Sequence, residues 1–157
     1  MFRQVKRQKQ ALTIDRCKDI LSTSLRGVLA VIGDGGYPYT IPLNHYFSGD
    51  GCLYFHSGRV GHKIDAIKSC NKVSYSVITD PTTKDDSWVK VFESVVVFGT
   101  IEIIEDVALT EKITRELSLK FTDDINYIDN EIKHFLGATI LLKLTPEHIT
   151  GKVVEES

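Results

Sequence analysis

Tyr54-Phe55-His56-Ser57-Gly58-Arg59-Val60-Gly61-His62-Lys63 carries a strand into a helix across a short loop of glycines and basic side chains. Residues 52–56 have the apolar, aromatic character of a strand, and residues 61–70 switch to helical spacing, with Ile64, Ile67 and Cys70 on the inward side. A helix start presents free N–H groups that favour an anion. Gly58 and Gly61 permit close backbone approach, Ser57 offers a hydroxyl, and Arg59, His62 and Lys63 supply positive charge. These are the components of a phosphate cradle. The same residues also read as a plain loop with His62 and Lys63 solvated. Basic side chains in a first helical turn oppose the helix dipole, and a bound anion relieves that conflict.

Working outward from this stretch, the spacing predicts a helix from Thr13, with Ile14, Cys17, Ile20, Leu21 and Leu25 recurring at helical period. Residues 28–32 form a β-branched run that ends in Gly33-Asp34-Gly35-Gly36, a turn cluster, and returns along residues 38–47. A second turn at Ser48-Gly49-Asp50-Gly51 leads into residues 52–56, so the three strands read as a meander. Pro42 has no N–H and belongs at an edge or an open ladder, which is either an ordinary blunted edge or a place where backbone groups remain free for a ligand. Downstream, strands are expected at 72–79 and, after a loop at 80–86, at 89–105, with Val95-Val96-Val97-Phe98 at the centre of the core and Gly99 marking a bulge. A helix at 107–121 and a final strand at 138–144 complete a mainly β chain with short helices. It is expected to form an antiparallel barrel of about six strands.

The chain has 157 residues, 42% hydrophobic and 25% charged, which fits one domain with its own core, spanning residues 1–157, and gives no support to disorder or repeats. Residues 1–11 are basic and expected to be a flexible N-terminal segment. Net charge is -2, so no global positive field attracts nucleic acid. No apolar run approaches the roughly 18 residues of a membrane helix, and no secretory h-region follows the N-terminus, so the expected location is cytoplasmic. Cys17, Cys52 and Cys70 form no close pair, which argues against disulfides and structural zinc. The five histidines have no metal-ligand spacing; His62 is best placed to face a ligand, and His134 and His148 read as surface residues. Neither a P-loop nor a dinucleotide fingerprint is present, and no Ser-His-Asp or Cys-His arrangement supplies a nucleophile.

Gly27-Val28-Leu29-Ala30-Val31, Asp34-Gly35-Gly36-Tyr37-Pro38-Tyr39, Ile41-Pro42-Leu43-Asn44, Leu53-Tyr54-Phe55-His56-Ser57, the helix from Gly61-His62-Lys63 to Lys68, and Ser94 to Gly99 occur in this order. Over roughly residues 12 to 147 this combination resembles the nitroimidazole-resistance (Nim-type) branch of the pyridoxamine 5′-phosphate oxidase-like flavoproteins. The resemblance implies a six-stranded antiparallel split β-barrel, the FMN-binding split barrel, that forms a homodimer with flavin sites at the interface. It places the FMN phosphate at Gly61, His62 and Lys63, after His56 and Ser57. Thr40, Ile41, Pro42, Leu43 and Asn44 should run along the isoalloxazine ring, and Ser94 should approach from the neighbouring strand; Trp88 either covers a ring face, from its own chain or the partner's, or is a core or rim tryptophan. The oxidases carry an Arg-Lys pair where this chain has His62-Lys63, so His62 is expected to contact phosphate by hydrogen bonding rather than by fixed charge. The arginine-containing substrate motif of true pyridoxamine phosphate oxidases has no counterpart in residues 142–157, which argues against vitamin B6 oxidation.

The expected function is therefore a flavin-dependent reductase with FMN, or alternatively FAD. NAD(P)H is a suitable electron donor, and the acceptor is a small planar molecule such as a nitroimidazole or other nitroaromatic. No acid or base is obligatory when the cofactor carries the chemistry; His62 is the candidate catalytic residue, with His56 as the other possible proton donor. The alternative is a flavin- or haem-binding module without reductase turnover, in which His56 or His62 is an axial ligand.

Overall fold

A computed structural model describes residues 1–85 and 87–156; Asp86, in the expected 80–86 loop, and Ser157 lie outside the described residues. The chain runs through α1 (Ile14–Thr23), β1 (Arg26–Ile32), β2 (Pro38–Asn44), β3 (Tyr46–Phe47), β4 (Leu53–Gly58) and α2 (His62–Ser69). It continues through β5 (Lys72–Ile78), β6 (Thr82–Thr83), β7 (Lys90–Ile104), α3 (Val107–Leu119), α4 (Ile125–Phe135) and β8 (Thr139–Glu156). All pairings are antiparallel, in the order β2-β1-β5-β7-β8-β4-β3, with β6 added to the end of β7. The sheet has eight strands, of which β3 and β6 are two-residue pieces; the six long ones are the strands of a split barrel.

Alternation along the strands builds the core. Leu29 and Val31 of β1, Val73, Tyr75 and Val77 of β5, Val95 and Val97 of β7, and Leu142 and Leu144 of β8 all turn inward and are buried. Cys17, Ile20 and Leu21 of α1 and Ile64 and Ile67 of α2 cover this face, each fully buried Leu or Ile contributing about 1.5–3 kcal/mol. Ile14 and Leu25, expected on the same stripe as Cys17, are 49% and 40% exposed: Ile14 is the first residue of the helix, and Leu25 lies beyond its end at Thr23. Phe98 also turns outward, opposite in phase to Val95 and Val97.

Gly99 behaves as its position in the sequence suggests. The β7–β8 register shifts between Phe98 and Gly99, and a Cβ at Gly99 would stand 2.1 Å from the Thr145 carbonyl oxygen. Across the shift Phe98 pairs with His148 and Gly99 with Pro146, so Glu147 is the extra residue of a bulge. The bulge corrects one expectation. The final strand does not stop at residue 144: Pro146 pairs with Gly99, the extra residue Glu147 follows it, and β8 continues to Glu156. A second correction is α4, which the sequence reading left out, although Asp124 caps it by accepting from the Tyr127 N–H at 3.0 Å and Ile128 and Ile132 are buried.

The expected meander is also redistributed. β2 pairs with β1, but after the bend at His45 the short β3 pairs with β4, so the two halves of one continuous stretch sit at opposite ends of the strand order. The barrel is split there. At the N-terminus, Gln8–Gln10 form a single 3-10 turn, Ala11 bridges to Lys152, and the Phe2 ring stacks on His148 at 5.0 Å. His148 is consequently no surface residue: its Nε2 is buried and has no hydrogen-bond partner among the described residues. Among the described residues no helix is long and apolar enough to cross a membrane.

Candidate functional site

The split between β2 and β4 is held open by a buried polar corner. His45 is fully buried, its Nε2 2.7 Å from the Leu21 carbonyl and its Nδ1 2.8 Å from the Tyr75 hydroxyl. A carbonyl can only accept, so Nε2 carries the proton and Nδ1 accepts. The Tyr75 hydroxyl also lies 3.0 Å from the Leu43 carbonyl, and Lys120 Nζ donates to the carbonyls of Ser24 at 2.6 Å and of His45 at 3.0 Å. Burial lowers the His45 pKa to about 4, the Leu21 hydrogen bond opposes this, and the charge of Lys120 adds to the lowering. The imidazole is neutral, and this corner fixes the end of β2 from behind.

In front of the corner, Arg26, Pro42, Leu43, Asn44 and His56 line a cavity of about 290 Å³. Among the described residues β2 pairs only with β1, so its other edge is not used by the sheet. Pro42 thus sits on an edge strand, as a residue without an N–H requires. Thr40 and Pro42 are exposed, whereas the side chains of Tyr39, Ile41 and Leu43 pack against the core. Ile41 can meet a ligand only through its backbone.

β4 ends at Gly58 and α2 starts at His62 with no side chain capping it. Gly61 has φ +124°, a conformation L side chains rarely adopt, and no atom lies within 4 Å of where its Cβ would be. The start of α2 is open. Ser57 is buried and its hydroxyl donates to the Gly58 carbonyl at 3.0 Å. Lys63 is half-buried and its pKa is lowered by desolvation. Its charge also reaches His56, whose pKa falls first through desolvation and second through Lys63, both of which favour the neutral imidazole.

His62, next to Lys63, turns the other way. Its ring stacks on Tyr39 at 4.3 Å and 14°, its Nε2 accepts from the Asp34 N–H at 3.4 Å, and the Asp34 carboxylate lies 3.7 Å away. The side chain closes the β1–β2 turn.

Within one protomer the fold thus gathers Pro42, Leu43, Asn44 and His56 around one cavity, with Lys63 beside His56. Ser94 is elsewhere. It pairs with Ile78 and Lys152, and both β1 and β5 stand between its strand and β2, so β7 is not the neighbouring strand the sequence reading assumed. The reason is that β1, not β7, occupies the place beside β2. Trp88 precedes β7 and is 91% exposed, so it covers nothing within its own protomer.

Sequence reasoning missed two features. Arg26 lines the cavity because it pairs with Asn44 across β1–β2; a cation placed one residue before Gly27 and its strand was the available signal. The second is a cavity of about 430 Å³ between α3 and α4, which shares His56 as a wall with the β2–β4 cavity. Its signal was the spacing of Ile125, Ile128, Ile132 and Phe135 after Asp124.

The residues of the split suit a flavin phosphate and ring. The observations are the open, uncapped helix start at Gly61, the half-buried Lys63, and the free edge of β2 beside Arg26. Comparison with solved structures finds the same fold. A candidate 5-nitroimidazole antibiotic resistance protein from Bacteroides thetaiotaomicron is 22% identical, with a TM-score of 0.75 over 92% of this chain and 87% of that one. A FAD-binding protein from Mesorhizobium loti is 23% identical, with a TM-score of 0.64 over 94% and 98%. A FAD and haem binding protein from Mycobacterium smegmatis is 23% identical, with a TM-score of 0.70 over 92% and 72%. No curated protein matches the sequence significantly. A family profile does, over residues 13–153, and on that match the chain belongs to the pyridoxamine 5'-phosphate oxidase family.

Proposed function

We propose that this protein is a flavin-dependent oxidoreductase that reduces a small planar acceptor, such as a nitroimidazole or another nitroaromatic. The observation that carries this reading is the split itself: the free edge of β2, the Arg26 cation and the His56 imidazole line one cavity, and the Lys63 charge acts on His56 from beside it. When bound, a flavin supplies the electron-transfer chemistry between a donor such as NAD(P)H and the acceptor. The uncapped amides at the start of α2 and the Lys63 ammonium hold its phosphate, and the backbone of Pro42, Leu43 and Asn44 lies along its ring. FMN is the flavin these contacts fit, and FAD shares both of them. His56 presents its ring to the cavity, and its lowered pKa favours the uncharged form that orients an acceptor by hydrogen bonding. His62 is engaged with Asp34 and Tyr39, so it supports the turn beside the phosphate corner more than it serves the acceptor.

A homodimer is part of the reading. Val28, Ile32, Ile78 and Phe98 leave apolar side chains on the outer face of the sheet, where a second copy would cover them. Such pairing offers Trp88 and Ser94 a role at the partner's cofactor that they lack within one protomer. A cytoplasmic location accords with the free thiols of Cys17, Cys52 and Cys70.

The test is the visible spectrum of the protein as purified, followed by heat release and chromatographic identification of the chromophore. Flavin bands that bleach with NAD(P)H and recover on adding a nitroimidazole are the expected result. A Soret band would move the protein to the haem-binding alternative. No chromophore after reconstitution with FMN and FAD would refute the flavin site.

A further inference from the structure

On α4, Tyr127, Glu131 and Phe135 follow one another at intervals of four, so they stand one above the next on a single helix face. The carboxylate thus sits one helical turn from an aromatic side chain on either side. All three are exposed and line the cavity between α3 and α4, where Phe121, just past the end of α3, adds a third ring. The buried residues of α4 are Ile128 and Ile132, so the exposed rings beside them add little to its packing. Apolar side chains grouped in this way at a cavity mark a contact surface.

Charge decides what such a surface takes. Glu111 and Asp129 of the same helix pair face Arg115, at 3.8 and 2.6 Å, and Asp106 and Asp124 cap α3 and α4. Glu131 makes no ion pair among the described residues. It is also the one carboxylate lining the cavity; the other polar lining groups are hydroxyls and the His56 imidazole, whose lowered pKa favours the neutral form. Lys120, beside Phe121 in sequence, has its ammonium on the Ser24 and His45 carbonyls. Ring faces and a carboxylate both attract positive charge, and both repel an anion. The volume, about 430 Å³, is that of a small-molecule pocket. We propose that the α3–α4 cavity binds a small organic cation with an aromatic body, such as an N-alkylated pyridinium, held by Glu131 between Tyr127 and Phe135. His56 lines this cavity and the β2–β4 split alike, so the occupant lies one side chain from the proposed flavin. The binding itself does not rest on the flavin reading.

The experiment is equilibrium dialysis of the full chain as purified against 1-methylnicotinamide and, separately, 3-methylbenzamide, which has the same shape without the charge. The cation should bind about ten-fold more tightly at low salt, and the preference should shrink as salt is added. Glu131→Gln should lower the cation's affinity about five-fold and leave that of the amide and the melting temperature unchanged, because the side chain is exposed. Phe135→Leu keeps an apolar wall without a ring face and should weaken cation binding about three-fold. Equal affinity for the two probes, or cation affinity unchanged in Glu131→Gln, would overturn the proposal. Binding of neither probe, as when a second copy of the chain covers the groove, would overturn it too. A cation preference that Glu131→Gln abolishes, in protein that releases no flavin on heating, would uphold this site while the flavin reading falls. Flavin release with equal affinity for both probes would do the reverse.

Discussion

The His45 corner and the start of α2 lie on the two sides of the split, and they treat polar groups in opposite ways. At His45 each polar atom is answered from within: Leu21, Tyr75 and Lys120 take up both ring nitrogens and the carbonyl. At Gly61 nothing answers the helix start, although the chain caps its other helices from Thr13, Asp106 and Asp124. The contrast separates stability from function. A satisfied buried network holds one backbone in place, while an unsatisfied, open one leaves binding capacity for something else.

The largest expected effect tests the closed side. The folded-state pKa of His45 lies below its unfolded value, so between about pH 6.5 and about 4 the unfolded chain binds a proton that the native one refuses. Stability should therefore be full above pH 6.5 and fall by about 3 kcal/mol as pH drops to 4, measured by urea unfolding at several pH values. A His45 ring signal titrating near its ordinary value would break this side of the comparison. Next comes the open side: Lys63→Ala should weaken flavin retention by about 2 kcal/mol, roughly thirty-fold, with melting temperature nearly unchanged, read by equilibrium dialysis and calorimetry. Equal flavin occupancy in variant and parent would remove the phosphate from α2.

Lys120→Met sharpens the closed side. It leaves the Ser24 and His45 carbonyls without their donor and should cost about 1–1.5 kcal/mol of stability at pH 7. It also removes a positive charge near His45, so the acid midpoint of that histidine should rise. The smallest effect is that of His62→Ala. Because its ring packs on Tyr39 and faces Asp34, flavin retention should change less than in Lys63→Ala, by about two-fold. A larger loss than Lys63→Ala would mean that His62 swings to the phosphate when the cofactor binds.

Much of this was legible in the residues because single side chains impose single solutions. Pro42 demands an edge and received one, and Gly99 demands a bulge because any side chain would meet the Thr145 carbonyl. The strand-to-helix loop at 58–61 was readable for the same reason, since Gly61 occupies a backbone conformation few other residues take. What escaped depended on distant partners. Pro146 looks like a strand end in isolation, and only the shift opposite Phe98 and Gly99 lets β8 continue past it. The resemblance placed Ser94 on a strand neighbouring β2, whereas within one protomer β1 and β5 stand between β2 and β7. The direction in which His62 turns depends on Tyr39 and Asp34, residues more than twenty positions earlier.

The place of β8 constrains how the molecule is assembled. It is the last strand in chain order, yet it lies between β7 and β4 and pairs with both along much of its length. During synthesis β4 and β7 must wait with open edges until residues 139–156 have emerged, and the ladder is completed by a segment made after both of the strands it joins. Contacts this distant in sequence slow folding and leave exposed strand edges that neighbouring chains can capture. A nascent chain arrested before Thr139 would thus be an aggregation hazard, however well its first hairpin had formed.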